Sequence, residues 1–382
     1  MRLFFVTGSL VHGGAERHTI TLSNRLAERG HRCHFAYVKN DPSQLGRIRD
    51  AASVECLQAG RYLDPAAVRR LRRRFQSTRP DVVLAANQYA LMYAQLAMRG
   101  LRIPLLATYH TTLLRNAREW LQMLWYRPFF WNADRLVFVC DTQRRHWRAR
   151  GVAGRRNDVI YNGVDLEHWR PVREEERATM RRLLGLTPEA FVVGISAVLR
   201  PEKNHVQLVE AIACLRRRGI AAHALLIGDG ETRGPVEARA RALGVAPAVI
   251  VTGLQKDVRP LVGACDAMAL CSTAVETFSL AALEAMALAR PVVHSDIGGA
   301  KEMIHPGHDG FLFPVNDTGT LVERLAALAD PALRRELGAN ARRSVEERFS
   351  EQAMVERYES SLTELASIRS RRESLRRRAT AH

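Results

Sequence analysis

Two acids and two cations hold the chemistry that this chain of 382 residues could perform. Glu276 stands in the run Val275-Glu276-Thr277-Phe278-Ser279-Leu280-Ala281-Ala282-Leu283-Glu284-Ala285-Met286, which reads as the end of a strand turning into a helix. Amides at a helix start are unpaired and carry partial positive charge, so Thr277, Phe278, Ser279 and Leu280 can receive a phosphate. Glu276, just ahead of them, can accept hydrogen bonds from sugar hydroxyls. Glu284 follows about two helical turns later and faces roughly the same way. A capping carboxylate and a solvated helix position would account for the same two residues, although Glu284 lies between Leu283 and Met286 in the most apolar helix of this half. Arg200 and Lys203, in Leu199-Arg200-Pro201-Glu202-Lys203-Asn204, follow another strand, and two cations at a strand's carboxyl end can face an anion. Only four of the 57 basic residues are lysines, which singles out Lys203 as a compact point charge.

The amino-terminal side offers less. Gly13 and Gly14 follow the first strand and let the backbone approach a phosphate or sugar closely. They do not form a GxGxxG fingerprint, so a nicotinamide-type site is disfavoured. His110 closes a strand and can bond a hydroxyl or carry a proton. Asn162-Gly163-Val164-Asp165 and Gly228-Asp229-Gly230 read as turns. The sequence has no DxD pair, HExxH, Cys/His ligand spacing, GxxxxGK[ST] loop or GxSxG elbow. No metal and no cofactor are therefore expected, and cations and helix dipoles would hold the anion.

These residues need strands and helices in alternation, and the apolar pattern supplies them. Strands are expected near 2–7, 33–38, 82–86, 103–108, 135–140 and 157–160, with helices at 15–29, 65–77, 89–99, 115–130 and 141–150. A polar, turn-rich stretch over 162–189 separates the halves. The rhythm then restarts, with strands at 191–197, 222–227, 247–252, 266–271, 291–295 and 310–313. Helices at 204–217, 234–243, 257–263, 279–289 and 317–328 lie between them. The expected fold is α/β, two doubly wound sheets with a ligand crevice between them at the strands' carboxyl ends. Its domains would span 1–165 and 166–348, with 349–382 a helix packing back on the first domain and a basic tail.

Composition is that of a globular protein, 47% hydrophobic and 25% charged, which excludes a disordered or collagen-like chain. No charge-free apolar run approaches the roughly 18 residues of a membrane-spanning helix. The amino terminus reads as a buried strand, without a signal-peptide core. Six cysteines without a CxxC pair fit reduced thiols in the cytoplasm. Charge is segregated: residues 1–165 hold 27 basic against 12 acidic side chains, and the remainder 30 against 28. The basic half carries Val68-Arg69-Arg70-Leu71-Arg72-Arg73-Arg74-Phe75, a helix able to lie on anionic headgroups. Trp120, Leu121, Leu124, Trp125, Phe129, Phe130 and Trp131 follow at spacing that normally marks a core, although together with the basic helix they favour a peripheral enzyme acting on a lipid-linked acceptor. An arginine-rich tail (369, 371, 372, 376, 377 and 378) reads as a solvated end.

Taken in order, Gly13-Gly14-Ala15-Glu16, His110, Asn162-Gly163-Val164-Asp165, Arg200 with Lys203-Asn204, Gly228-Asp229-Gly230, Glu276 with Glu284, and Pro291-Val-Val form a series. Ser295-Asp296-Ile297-Gly298-Gly299 with Glu302, then Gly310-Phe-Leu, extend it. The series resembles glycosyltransferase family 4, the retaining GT-B enzymes, across roughly residues 3–350. The resemblance implies that the second domain binds a nucleotide-sugar donor and the first a glycan or glycolipid acceptor. It implies donor diphosphate at Arg200, Lys203 and the backbone of 277–280, sugar hydroxyls at Glu276 and ribose hydroxyls at Glu284. Gly13 and Gly14 would approach the donor, and His110 would touch the transferred sugar near the reacting centre. Hexosyl transfer with retention and without metal is implied, in lipopolysaccharide or exopolysaccharide assembly on the cytoplasmic face of the inner membrane. Two departures stand out. Ala287-Leu288-Ala289-Arg290-Pro291 has no glycine where the family commonly has one, and Cys271 stands where a proline is frequent.

Other classes fit less. A nucleotide-sugar epimerase would need no acceptor, and a phosphorylase-like enzyme would use phosphate or a lysine-linked pyridoxal cofactor. A basic nucleic-acid-binding protein would show a helix-turn-helix, a zinc finger or an aromatic RNA-binding strand, and none is recognisable. Specific nucleic-acid binding is not expected.

Overall fold

The computed structural model describes residues 1–11, 13–50, 53–111, 117–274 and 276–379, and the side chains among them except those of 117, 118 and 368–379. Val275 and the arginine side chains of the tail lie outside the described residues. The chain divides into two units, Met1–Tyr161 with Met354–His382, and Asn162–Ala353.

The first unit runs β1 (Arg2–Thr7), α1 (Gly14–Glu28), β2 (Arg32–Tyr37), β3 (Val54–Cys56), α2 (Pro65–Thr78), β4 (Val82–Ala86), α3 (Asn87–Met98), β5 (Leu105–Tyr109), α4 (Ala117–Trp131), β6 (Arg135–Phe138), α5 (Asp141–Arg148) and β7 (Arg156–Val159). All strands are parallel, in the order β3-β2-β1-β4-β5-β6-β7. Near-continuous apolar strands such as Leu3-Phe4-Phe5-Val6 bury both faces, as a parallel sheet requires. The side chains of Phe4, Val6 and Val83 pack beneath α2, α3 and α4, whereas Leu3, Phe5 and Leu84 face the opposite way, towards α1. Helix α2 shows how local chemistry fixes a boundary. Asp64 caps it, accepting from the amides of Ala66 (2.8 Å) and Ala67 (3.3 Å), and Pro65 opens the first turn. The edge strand β3 was not expected, because three residues carry too little periodicity to register.

The second unit runs α6 (Glu174–Leu183), β8 (Phe191–Ser196), α7 (His205–Arg217), β9 (Ala222–Ile227), α8 (Arg233–Ala242), β10 (Val249–Val251), α9 (Arg259–Ala264), β11 (Ala267–Leu270), α10 (Leu280–Ala287), β12 (Val292–Ser295), α11 (Ala300–Met303), β13 (Gly310–Phe313), α12 (Thr318–Ala327) and α13 (Pro331–Arg348). Its sheet is again parallel, ordered β10-β9-β8-β11-β12-β13. The stretch expected to be an irregular linker contains α6. Three glutamates in its first turn and two arginines in its last complement the helix dipole. Tertiary contact completes it: buried Asp266 accepts from Arg177 (2.6 Å), Arg181 (3.1 Å) and the Val192 amide (2.8 Å).

The chain then enters α14 (Glu351–Ala379), which belongs to the first unit from Met354 onward. Met354, Tyr358, Leu362 and Leu365 recur at helical spacing and pack with Leu3, Phe5, Leu106 and Val137. Each such buried side chain stabilises by roughly 1.5–3 kcal/mol. Glu359 pairs with Arg29 (2.7 Å) and His31 (2.7 Å), and Glu364 with Arg135 (2.6 Å) and Arg156 (2.6 Å). The division falls at 161/162 and 353/354 rather than at 165 and 348 for a local reason. Val164 pairs with the returning chain, its amide donating to Phe349 (3.0 Å) and its carbonyl accepting from Glu351 (2.9 Å). A Cβ on Gly163 would strike that backbone 2.6 Å from the Glu351 Cα.

Helix α10 ends without its usual glycine. Ala289 adopts a left-handed conformation with φ at 55°, a cost that glycine avoids. Ala289→Gly is expected to stabilise the second unit by about 0.5–1 kcal/mol, seen as a higher urea midpoint with an unchanged slope.

Candidate active site

In the second sheet the strand order reverses between β8 and β11, and the carboxyl ends of two such neighbours bound a crevice. The loops leaving them carry the cations and Glu276. They are tied together: the Thr273 amide donates to the Glu202 carbonyl at 2.9 Å, and Lys203 Nζ donates to Glu276 Oε2 at 2.6 Å. Ser272 Oγ donates to the same oxygen at 3.0 Å, and Ser295 at the end of β12 fixes Ser272 through its carbonyl at 2.7 Å. Glu276 Oε1 takes no partner among the described residues. Burial pushes the Glu276 carboxyl up, but the Lys203 ammonium, His294 and these hydrogen bonds together hold it below the usual carboxylate range. It is an anion at neutral pH.

The cation loop is seated by the turn read as Gly228-Asp229-Gly230. The Leu199 amide donates to the Asp229 carbonyl at 3.0 Å, and the Thr232 amide to the Leu199 carbonyl at 3.1 Å. A Cβ at Gly228 or Gly230 would collide with the carbonyls of Ala197 or Leu199, so glycine is required for this close approach. Arg200 is exposed, and its guanidinium makes no hydrogen bond with the described residues. Lys203 is half-buried, with two ammonium protons left after Glu276 takes one.

The stretch expected to receive a phosphate runs into the first turn of α10. Helix α10 begins at Leu280, and Ser279 Oγ accepts from the Ala282 amide at 3.3 Å. That leaves the Leu280 and Ala281 amides without acceptors among the described residues. Phe278 serves packing: its ring is buried against Phe349 with centroids 5.3 Å apart, and its carbonyl accepts from Asn162 at 2.9 Å. The Thr277 carbonyl accepts from the Gly299 amide at 2.7 Å. Glu284 is 4% exposed, which removes the solvated reading for that carboxylate.

In the first sheet the order reverses between β1 and β4. Gly13 caps α1 and Gly14 is its first residue. The Glu16 carboxylate folds back over Gly13, so the open approach is at Gly14, where an added Cβ would meet nothing within 4 Å. His110 follows β5. Its amide donates to Asn87 Oδ1 at 3.1 Å, and its ring lies 4.8 Å from that of His18 on α1. Burial lowers the His110 imidazole to about 4 and holds His18 well below its ordinary value, so both are neutral at pH 7.

Family models match both halves: the model described as Glycosyltransferase Family 4 covers residues 12–168, and that described as Glycosyl transferases group 1 covers 176–344. The chain belongs to glycosyltransferase family 4. Its two parallel Rossmann-like sheets are those of the GT-B fold. The family 4 chain is 29% identical over 244 residues to the putative glycosyltransferase EpsD of Bacillus subtilis, spanning 63% of each. It is 26% identical over 354 residues to the N-acetyl-alpha-D-glucosaminyl L-malate synthase of Bacillus anthracis, spanning 88% of this chain and 90% of that one. In structure it resembles HepE of Anabaena, crystallised with UDP-glucose, with a TM-score of 0.85 at 24% identity over 95% of this chain and all of HepE.

In this family 4 glycosyltransferase four residues to which sequence alone assigned no role support the site, Gly298 among them having been named only within the series. Ser272 and His294 lie beside Glu276, His18 lies against His110, and Gly298 seats the Glu276 backbone. Gly298 has φ at 60°, and a Cβ there would collide with the Glu276 carbonyl. The paired glycines at 298–299 were the available signal; nothing local marks a serine, or a histidine on a buried face. Gly298→Ala should destabilise by about 1–3 kcal/mol in urea and weaken any thermal stabilisation by nucleoside diphosphates. Gly234→Ala, placed in open space on α8, should not destabilise. His18 gives a second expectation. As pH falls from 6.5 towards 4, the unfolded chain binds protons that buried His18 and His110 refuse, so stability falls with pH. His18→Leu should make the decline in melting temperature across that window shallower.

Proposed function

We propose that the chain transfers a hexose from a nucleotide-diphosphate sugar to an acceptor hydroxyl with retention at the anomeric carbon. The observation that carries this reading is the partly buried Lys203–Glu276 pair at the β8/β11 switch point, beside exposed Arg200 and the start of α10. Arg200, the remaining ammonium protons of Lys203 and the Leu280 and Ala281 amides would grip the diphosphate. Preorganised donors of this kind stabilise charge growing on a departing phosphate. Glu276, held ionised, would accept from sugar hydroxyls through Oε1, and Glu284 would hold the ribose. The crystallisation of HepE with UDP-glucose supports a nucleotide-sugar donor.

In the transfer the bond from the anomeric carbon to the phosphate oxygen breaks as the acceptor oxygen bonds to that carbon. The acceptor proton passes to the departing phosphate oxygen, with cations and amides in place of a metal. Glu276 is occupied by Lys203 and Ser272 and would position the sugar rather than attack it. Neutral His110 would hydrogen-bond a sugar hydroxyl. The basic charge of residues 1–165 supports a lipid-linked glycan acceptor at an anionic membrane surface, as in lipopolysaccharide or exopolysaccharide assembly.

Lys203→Ala and Glu276→Gln should each lower transfer by about 100-fold or more while far-UV circular dichroism stays unchanged. A nucleoside diphosphate should raise the melting temperature of the native chain, and less so in Lys203→Ala. A covalent glycosyl–enzyme adduct trapped on Glu276 would overturn the direct route.

A further inference from the structure

Helix α4 is apolar nearly all round, yet it is buried on one side only. Met123, Tyr126 and Phe130 enter the core under the sheet. Trp120, Leu121, Leu124, Trp125 and Trp131 are exposed, Leu121 by 68% and Trp125 by 58%. At about 100° per residue these five fall within one arc of roughly 140°, opposite the buried arc. The spacing expected to mark a core therefore marks two faces, of which the outer is open. Single exposed apolar residues are ordinary, but a contiguous band with three tryptophans signals a binding surface.

The surroundings say what binds. Residues 142–156 carry six arginines. Arg144 and Arg145 pair with Asp141, Arg155 with Asp134 and Arg156 with Glu364, whereas Arg148 and Arg150 have no acidic partner among the described residues. The Arg150 guanidinium lies 5.9 Å from the Trp120 ring centroid, and the Trp131 indole donates to the Gly151 carbonyl at 2.8 Å, so the basic loop after α5 borders the apolar face. Exposed Arg145 and Arg148 stand on α5 itself. Tryptophan rings flanked by arginine suit the boundary between acyl chains and anionic headgroups. A second copy of the chain suits it poorly, because a twofold contact would set like charge against like. Among the described residues no helix is long and apolar enough to cross a membrane, so attachment here would be lateral.

We infer that the outer face of α4 inserts into the interfacial layer of an anionic bilayer, with arginines of the α5 loop on the headgroups. The inference deepens the lipid-linked acceptor proposed above and rests on that reading for its purpose. The test uses the full chain with vesicles of phosphatidylglycerol and phosphatidylcholine against phosphatidylcholine alone. The chain should co-sediment with the anionic vesicles and bind less as salt rises, and its tryptophan emission should shift to the blue and be quenched by brominated acyl chains. Leu121→Glu/Trp125→Glu should weaken binding by about tenfold or more at unchanged melting temperature. Leu254→Glu, equally exposed but in the second unit, should bind as the parent does. Failure of the parent to co-sediment, or equal binding by the double variant, overturns the inference. So does a concentration-dependent dimer that the double variant abolishes without any vesicle binding. Thermal stabilisation by nucleoside diphosphates is read on the same samples. Its retention when vesicle binding fails leaves the transferase reading standing, and its absence beside intact vesicle binding removes that reading alone.

Discussion

The second unit's candidate site turns on one ion pair. Lys203 and Glu276 are 73 residues apart in sequence and 2.6 Å apart in space, each near the end of a short loop leaving an adjacent strand. Each charge, partly withdrawn from water, is stabilised by the other. Their attachment fixes the distance between the two loops, and so between exposed Arg200 and the open amides of α10. The glycines around the pair serve the same end. Gly228 and Gly230 let the turn after β9 lie against 197–199, and Gly298 lets the turn after β12 lie against Glu276. What looks in sequence like scattered turn chemistry is a set of close backbone approaches that keep two charged loops in register.

The first unit is organised by charge and apolar surface rather than by a single pair. Arg150 of the loop after α5 lies against Trp120 of α4, while other arginines of that stretch are paired with acids, as Arg144 and Arg145 are with Asp141 and Arg155 with Asp134. Neutral His110, against neutral His18, adds no charge to the end of β5. An imidazole in that state offers one donor and one acceptor, which suits hydroxyl chemistry better than anion binding.

Much of this was legible in the sequence, and the exceptions have causes. Parallel buried strands announce themselves as apolar runs, and all but the three-residue β3 were anticipated. Helix α6 was hidden because Arg177 and Arg181 look solvated until Asp266, more than 80 residues away, is known to receive them. Arg200, Lys203, Glu276 and Glu284 stood out because their residue types are out of place beside apolar strands and helices. Phe278 and Thr277 were read as part of an anion cradle, and their carbonyls and the Phe278 ring have a second role in supporting the loop. The outer face of α4 was left between a core and a membrane-peripheral reading, because spacing records which residues share a face and is silent on whether that face is covered.

The return of α14 gives the first unit an unusual order of assembly. Met354, Tyr358, Leu362 and Leu365 cover one side of a sheet whose strands lie within the first 160 residues. On the ribosome the whole of the second unit is made in between. The nascent sheet therefore has α1 on that side but lacks the rest of its cover until residues 354–365 emerge. A chain that stops within α13 thus lacks one wall of the first unit's core although every strand of its sheet has been made.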